Sequence, residues 1–220
     1  HRDEFSRALF EEVGRLVEGV AAHAGRRGIP GRLRPHRDID CRAHVIRRRV
    51  RHVADDVGMS SSQNEQDSRF YARFAHVPML EPADSQEAYD MARYAFELSE
   101  EFQVPVILRL TSRICHVKGL VVAGEREAHE PAGFVKNPQR WVMVPAHAKA
   151  RIPALLAREQ ELKRLSDRTP LNVIEPGTDR RVAFITSGPA YMHVREAFPD
   201  APVLKLGLSY PWPLEKVAAL

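Results

Sequence analysis

A dense run of amide, hydroxyl and carboxylate side chains, DDVGMSSSQNEQD, occupies Asp55 to Asp67. Folding alone does not require so many polar side chains in one surface loop. Gly58 allows the positive φ of a sharp turn, and the serines from Ser60 onward can cap a helix that begins at residues 63–66. Such a junction points backbone N–H groups and short polar side chains at one spot. For the three serines alone, helix capping is the plainer interpretation.

A second group of residues that could do chemistry follows the apolar segment VPVILRL. In open α/β sheets, ligand-contacting residues collect just past the carboxyl ends of strands. Arg113 can bind the carboxylate of a ligand through two parallel hydrogen bonds. His116 can donate a hydrogen bond to a carbonyl or enolate oxygen. The structural alternatives are a solvated or salt-bridged arginine and a histidine without a ligand.

Other short motifs, by their presence or absence, limit the kinds of chemistry that the chain could perform. Asp55 and Asp56 close a strand, where paired acids are more often turn residues bonded to nearby N–H groups, so no metal is assigned to them. The sequence contains no G-x-S-x-G, H-E-x-x-H, G-x-G-x-x-G or G-K-[ST] motif, which removes the common hydrolase, metalloprotease and nucleotide-binding signatures. The turn at Thr186-Ser187-Gly188 could hold an anion, but a structural turn from strand to helix is the simpler interpretation.

The elements that position these residues follow an α/β pattern. Asp84 and Glu87 form a capping box that opens an amphipathic helix, and residues 104–110 read as a buried strand of a parallel sheet. A strand, a helix and a strand in that order predict a βαβ unit. A second unit begins at Arg181, after a proline-rich connection. We therefore predict an α/β fold with a mostly parallel sheet and flanking helices.

Composition sets the broad class. The chain has 220 residues, 44% hydrophobic and 28% charged, which suits one large or two small globular domains. Neither a membrane span nor a secretory signal is recognisable. Cys41 and Cys115 form no C-x-x-C pair, and a reducing cytoplasm is the simplest setting. The first residue is His1 and not Met, which indicates a piece of a longer chain.

Basic residues concentrate in one segment, residues 26–51, which holds ten arginines and two aspartates. Because the whole chain carries a net charge of only +4, the remainder is mildly acidic, and nucleic-acid binding is not indicated. Three interpretations stay open for the segment: a basic arm for an acidic partner, a solvated insertion, and coding DNA translated out of frame. We favour the third, which resequencing of the DNA would test.

Two long strings carry a resemblance to a known family: DDVGMSSSQNEQDSRFYARFAHVPMLEPADSQEAYDMARYAFELSEEFQVPVILRLTSRICH and TSGPAYMHVREAFPDAPVLKLGLSYPWP. They resemble the α subunit of indolepyruvate ferredoxin oxidoreductase, from about Asp55 to Leu220. The resemblance implies a thiamin-diphosphate-binding-like pyrimidine domain with its connecting segment over residues 1–168, of which 26–51 are aberrant. A linker over 169–180 and a truncated transketolase C-terminal-like domain over 181–220 would follow.

The resemblance also implies an activity, the ferredoxin-dependent oxidative decarboxylation of arylpyruvates such as indolepyruvate to acyl-CoA. Full-length members use thiamine diphosphate, Mg²⁺ and 4Fe–4S clusters. The diphosphate, metal and cluster ligands are expected outside this chain, so the fragment alone is expected to be inactive. No catalytic residue is assigned, because the glutamate that activates the aminopyrimidine ring should precede Asp55 and is not found there.

Carried over onto this sequence, the resemblance places Ser61, Ser62, Gln63 and Asn64 in the cofactor and substrate cleft. Arg113 would bind the substrate carboxylate, with His116 beside it. The expected partners are the β subunit, ferredoxin, coenzyme A and an arylpyruvate, with no nucleic acid and no membrane. The alternative function is a non-catalytic α/β interaction module whose arginine-rich arm docks an acidic partner.

Overall fold

The computed structural model describes residues 50–60, 63–125 and 136–220. Ser61, Ser62 and all but the last two residues of the arginine-rich segment lie outside those ranges. The chain divides into two compact units, one of residues 47–123 with 139–220 and one of residues 1–46 with 124–138. Every described strand belongs to the first unit, and the site described below is built within it.

The first sheet has four strands: β1 (Val50–Asp55), β2 (Met79–Leu80), β3 (Val106–Thr111) and β7 (Leu208–Tyr210). Their order across the sheet is β1-β3-β2-β7. β1 and β2 run parallel to β3, and β7 is antiparallel to β2. All six residues of β3 are buried, because a central parallel strand is covered on both faces. The predicted mostly parallel sheet is confirmed.

Helix α2 (Ser85–Phe102) connects β2 to β3 and packs against the sheet. The predicted capping box is present, since the Asp84 carboxylate accepts from the Glu87 backbone N–H at 2.8 Å. The Glu87 carboxylate reaches back to the Ala83 N–H, also at 2.8 Å. The buried apolar residues of the helix recur every three or four positions, as the amphipathic pattern predicts: Ala88, Met91, Ala92, Ala95 and Leu98.

The helix expected to begin at residues 63–66 is not there. Helix α1 instead spans Arg69–Ala75, with Ser68 at the N-cap position. Hydrogen bonds to the end of β1 explain the shift: Gln66 N donates to the Asp56 carbonyl at 3.2 Å, and Asp56 N donates to the Gln66 side chain at 3.3 Å. These long-range bonds engage backbone groups that a helix would need, so no helix begins before residue 69.

Between β3 and the second sheet, the described residues form three helices. α3 (Ser112–His116) continues directly from the strand, α4 (Pro138–Trp141) is a single turn, and α5 (Pro145–Arg168) is a long helix that contains Pro153. α5 is anchored to the core through Leu162, which is fully buried. Pro153, the ninth residue of α5, has no backbone N–H, so the bond to the Lys149 carbonyl cannot form and the helix lacks one hydrogen bond there.

A second sheet is formed by β4 (Asn172–Glu175), β5 (Phe184–Ser187) and β6 (Val203–Leu206), in the order β4-β6-β5. β5 and β6 are parallel and are joined by α6 (Pro189–Ala197), which confirms the second predicted βαβ unit. A last helix, α7 (Leu214–Ala219), follows β7.

Two observations bear on the predicted domain division. The predicted linker, residues 169–180, contains β4, and β7, from the predicted second domain, completes the first sheet. Residues 47–123 and 139–220 thus form one compact unit, and the proposed boundary stays a prediction. Within the described ranges, no helix combines the length and apolar character needed to cross a membrane.

Candidate functional site

The site begins at the carboxyl ends of three neighbouring strands of the first sheet. Asp55 closes β1 and lies opposite Thr111, which closes β3. Glu81 comes directly after β2. Because parallel strands end at the same edge of a sheet, polar side chains that are far apart in sequence meet there.

Arg109 is the cation at the centre of this edge. Its side chain is 6% exposed and its Nε donates to Asp55 Oδ2 at 2.6 Å. Its Nη1 donates to Glu81 Oε2 at 2.7 Å, and Nη2 lies 3.7 Å from Asp67 Oδ1. Asp55 and Glu81 are themselves buried. A buried charge is tolerated only when it is paired and hydrogen-bonded, so these side chains hold one another in place.

Asp55 also fixes the start of α1. Its carboxylate accepts from the Ser68 backbone N–H at 2.7 Å and from the Ser68 hydroxyl at 2.6 Å. The neighbouring Asp56 accepts from the Ser60 N–H at 3.0 Å. Both acids therefore bond nearby N–H groups, as the sequence predicts. Among the residues that the structure places, no three acidic, histidine or cysteine side chains are arranged to hold a metal.

Glu81 joins the edge of the first sheet to the end of β5. The Ser187 hydroxyl donates to Glu81 Oε2 at 3.2 Å. Gly188, which follows, has a φ of 56° and begins α6. A Cβ at that position would lie 3.8 Å from Glu81 Oε2, so the positive φ rather than crowding accounts for the glycine. The predicted strand-to-helix turn at residues 186–188 is confirmed.

A cleft of about 1120 Å³ opens over this edge. Its walls come from the strand ends, from α1 and α5, and from the segment that follows β7. Five of its side chains are cationic, while three are acidic: Arg69, Arg73, Arg109, Arg113 and Lys163 against Asp67, Glu81 and Glu159. The apolar and aromatic part includes Val57, Phe70, Met79, Ile185, Leu206, Tyr210, Trp212 and Leu214. The cleft thus suits an anionic ligand that carries an apolar or aromatic group.

Several ionisable groups of the walls are already paired. The Arg69 guanidinium, which donates to Asp67 at 2.8 Å, lowers the pKa of Asp67 to about 2. Burial and the Glu159 carboxylate raise the pKa of Tyr210 to about 12. Burial opposes ionisation of Glu159, but hydrogen bonds from His76 and Tyr210 lower its pKa on balance. These groups therefore keep one charge state around neutral pH.

The structure separates the predicted site residues. Arg113 lines the cleft, with its Nη1 3.2 Å from His193 Nε2. His116 is exposed at the end of α3 and is not part of the cleft wall. Gln63 and Asn64 are exposed in the loop between β1 and α1 and do not line this cleft either. These binding assignments, and those of Ser61 and Ser62, stay predictions.

Sequence reasoning missed Arg109 and Glu81, although the structure gives them more partners than any predicted site residue. A signal for Arg109 was present, because a lone charge inside the apolar segment VPVILRL must find a buried partner. No comparable signal marks Glu81, which lies in an ordinary loop sequence, LEPAD.

Of the cofactors that the family resemblance implies, the organic one fits the described residues and the two inorganic ones do not. A cleft at the ends of parallel strands, with two buried polar atoms that lack a partner there, Glu81 Oε1 and Thr111 Oγ1, suits an organic ligand. The described residues offer no ligand set for the magnesium that accompanies a diphosphate. A 4Fe–4S cluster needs four thiolates, and the chain has two cysteines. This chain's cysteines alone therefore cannot hold such a cluster.

Comparison with known proteins agrees with the geometry. Residues 43–157 match the family model described as pyruvate flavodoxin/ferredoxin oxidoreductase, thiamine diphosphate-binding. The chain is 47% identical over 171 residues to indolepyruvate oxidoreductase subunit IorA of Methanothermobacter marburgensis, which covers 75% of this chain and 28% of that protein. It is 45% identical over 172 residues to the IorA subunit of Thermococcus kodakarensis, covering 73% and 27%.

A solved structure shares the fold. The 2-oxoglutarate:ferredoxin oxidoreductase from Magnetococcus marinus, with 2-oxoglutarate, coenzyme A and succinyl-CoA bound, superimposes with a TM-score of 0.51 at 15% identity. That match covers 76% of this chain and 39% of the other. The chain spans 28% or less of the length of the curated relatives it matches. The chain belongs to the pyruvate flavodoxin/ferredoxin oxidoreductase family and includes the region matched by that family's thiamine diphosphate-binding model.

Proposed function

We propose that this chain is part of an oxidoreductase that oxidatively decarboxylates arylpyruvates, indolepyruvate in particular, to acyl-CoA and passes the electrons to ferredoxin. Two features support the proposal: the identity of 47% with an indolepyruvate oxidoreductase subunit, and a cleft that combines aromatic walls with an arginine that has no carboxylate partner among the described residues. The observation that carries it is the position of Arg113 in that cleft.

Arg113 is suited to the carboxylate of a 2-oxoacid. It lies two residues past the end of β3, and among the described residues it contacts His193 and has no carboxylate partner. The other arginine at this edge, Arg109, is already saturated by Asp55 and Glu81. A planar guanidinium with free donors binds a carboxylate through two parallel hydrogen bonds.

The chain's own part in the reaction is to bind and orient the substrate. The carboxylate is held at Arg113, and the aryl group lies against the aromatic wall, which orients the substrate. Ser61, Ser62, Gln63 and Asn64 are proposed to contact the cofactor, and His116 is kept as a candidate for the substrate's oxygen. Bound thiamine diphosphate supplies the nucleophilic carbon and the electron sink for decarboxylation. The diphosphate and its Mg²⁺ are proposed to be held by other parts of the protein.

The remaining components are proposals of the same kind. A β subunit, 4Fe–4S clusters, ferredoxin and coenzyme A complete the reaction in this proposal, and the cytoplasm is the proposed location. The Magnetococcus marinus enzyme, which shares the fold, has coenzyme A bound in its structure, and this favours an acyl-CoA product here as well.

The test uses the full reading frame, co-expressed with its partner subunit. We expect indolepyruvate- and coenzyme A-dependent reduction of ferredoxin. Arg113→Gln should lower kcat/KM about 10- to 100-fold, since a charge-assisted hydrogen bond is worth about 1.5–3 kcal/mol. Arg164→Gln, an exposed arginine on α5 outside the cleft, is the matched control and should leave kcat/KM unchanged. An enzyme that oxidises only pyruvate or 2-oxoglutarate would contradict the proposed substrate.

A further inference from the structure

Two buried oxygens in the wall of the cleft have no hydrogen-bond partner among the described groups. They are Glu81 Oε1 and Thr111 Oγ1, and both residues line the cleft. Leaving a buried polar atom unpaired is unfavourable. Because Glu81 is only 3% exposed, a group that satisfies its oxygen must enter through the cleft.

The other contacts of Glu81 hold this oxygen in one place. Oε2 accepts from Arg109 Nη1 at 2.7 Å and from the Ser187 hydroxyl at 3.2 Å. The Glu81 backbone N–H donates to the Gly207 carbonyl at 2.9 Å. The carboxylate therefore keeps one oxygen for the protein and presents the other as a preorganised acceptor.

The cleft that Glu81 lines also has an apolar part. Met79 precedes it on β2, and Ile185 and Leu206 come from the second sheet. Phe70 and Trp212 complete the wall, with exposed fractions of 73% and 52%. A planar aromatic group can pack against such side chains. A group that is aromatic and also carries an N–H donor would satisfy both the wall and the acceptor.

We propose that Glu81 Oε1 accepts a hydrogen bond from the ring N–H of the substrate's aryl group, and that this contact selects indolepyruvate among arylpyruvates. The inference rests on the proposed function. The carboxylate end of the same molecule contacts Arg113 and the Thr111 hydroxyl, which can donate to it. The register of β2 and β3 pairs Leu80 with Leu108, so Glu81 lies opposite Arg109, and Thr111 lies two residues further along. With strands about 4.8 Å apart and a rise of about 3.3 Å per residue, the two positions are roughly 8 Å apart, so one arylpyruvate can contact both.

The substrate that isolates this contact is benzofuran-3-ylpyruvate, in which a ring oxygen replaces the indole N–H at almost the same shape. The ring oxygen of benzofuran cannot donate a hydrogen bond to Glu81, and its lone pair repels the Glu81 carboxylate. Sites built to bond a substrate N–H discriminate strongly against analogues that lack it. We expect kcat/KM of the full-length enzyme for indolepyruvate to exceed that for the benzofuran analogue at least about 10-fold.

Glu81→Gln sharpens the test. Arg109 donates to the single amide oxygen of the glutamine, so the amide NH₂ is left facing the ligand. The preference for indolepyruvate should then fall to about unity or reverse. Glu161→Gln, at an exposed position of α5 outside the cleft, is the matched control, and the ratio of the two substrates should stay as in the wild type.

A binding measurement without turnover gives a second readout. Isothermal titration of the wild-type enzyme with indole-3-lactate and benzofuran-3-lactate should show the same preference as kcat/KM. Equal kcat/KM values and equal affinities for the two rings in the wild type would overturn the inference, even if Glu81→Gln failed to fold. An enzyme that turns over neither substrate would instead contradict the proposed function, so the two failures are distinguishable.

Discussion

Two polar regions lie at the same edge of the first sheet, and they are held very differently. In the loop after β1, described residues 57–60 and 63–67 are exposed. In the cluster of Asp55, Glu81 and Arg109, every side chain is buried and each charge is paired at 2.6–2.7 Å. The loop is conspicuous in the sequence because its polar residues are consecutive. The cluster is the more strongly bonded region of the structure, although its three members come from three different strands or strand ends.

The contrast indicates that the two regions of this edge have different roles. The buried cluster fixes where the strands end and where α1 begins, since Asp55 binds both Arg109 and Ser68. The exposed loop is free to contact a ligand or further protein. Substitutions in the buried cluster should therefore lower stability. Substitutions in the loop, or at an exposed cleft residue such as Arg113, should instead weaken binding.

The largest effect is expected when the central cation is removed. Arg109→Met leaves Asp55 and Glu81 buried without a counter-charge, so the free energy of unfolding should fall by about 3–5 kcal/mol. Urea unfolding of the protein measures it. Arg113→Met removes an arginine four residues away that is exposed and has no carboxylate partner in the described chain, and it should change stability by less than about 0.5 kcal/mol. A similar loss of unfolding free energy in the two variants would show that the buried cluster contributes no more to stability than the exposed Arg113.

A serine pair tests the same contrast with a smaller change. The Ser68 hydroxyl donates to the buried Asp55 carboxylate at 2.6 Å, whereas the Ser60 hydroxyl makes an exposed bond to the Val57 carbonyl at 3.2 Å. Ser68→Ala should lower the free energy of unfolding by about 1–3 kcal/mol, since it leaves a carboxylate oxygen without a donor. Ser60→Ala should lie within about 0.5 kcal/mol of the wild type. Thermal melts of the two variants in parallel give the comparison.

Local patterns predicted much of the fold, because they depend on residues close in sequence. The capping box of Asp84 and Glu87 and the buried strand β3 were both confirmed. The Arg109 cluster could not be read in this way, because its bonds join residues 54 and 28 positions apart. Pairing at that range depends on strand order, which the sequence alone did not specify.

The predicted helix at residues 63–66 was wrong for a related physical reason. Its composition satisfies the local rules for a helix start, but Gln66 bonds to Asp56 across ten residues. A tertiary contact thus outweighs a local preference that is worth about 1 kcal/mol or less. For the site, the type of residue that binds a carboxylate was predicted, and Arg113 lies in the cleft. The acceptor at Glu81 was not predicted, since an isolated glutamate gives no pattern.

The smallest expected effect is a pH dependence at the boundary between the two regions. Asp67, the last residue of the exposed loop, has its pKa lowered from 3.8 to about 2, first by its hydrogen bond from Arg69. As pH falls, the unfolded chain binds the proton first, so the stabilisation is complete above about pH 4 and is lost towards pH 2. Because Asp67 is partly exposed, solvent limits the effect to less than about 1 kcal/mol. Asp67→Asn should flatten the stability curve in that window. Asp179→Asn, which breaks the same Asp-x-Arg pairing at a position without Arg109 nearby, should change it less, and an equal change would show that the buried cluster adds nothing at Asp67.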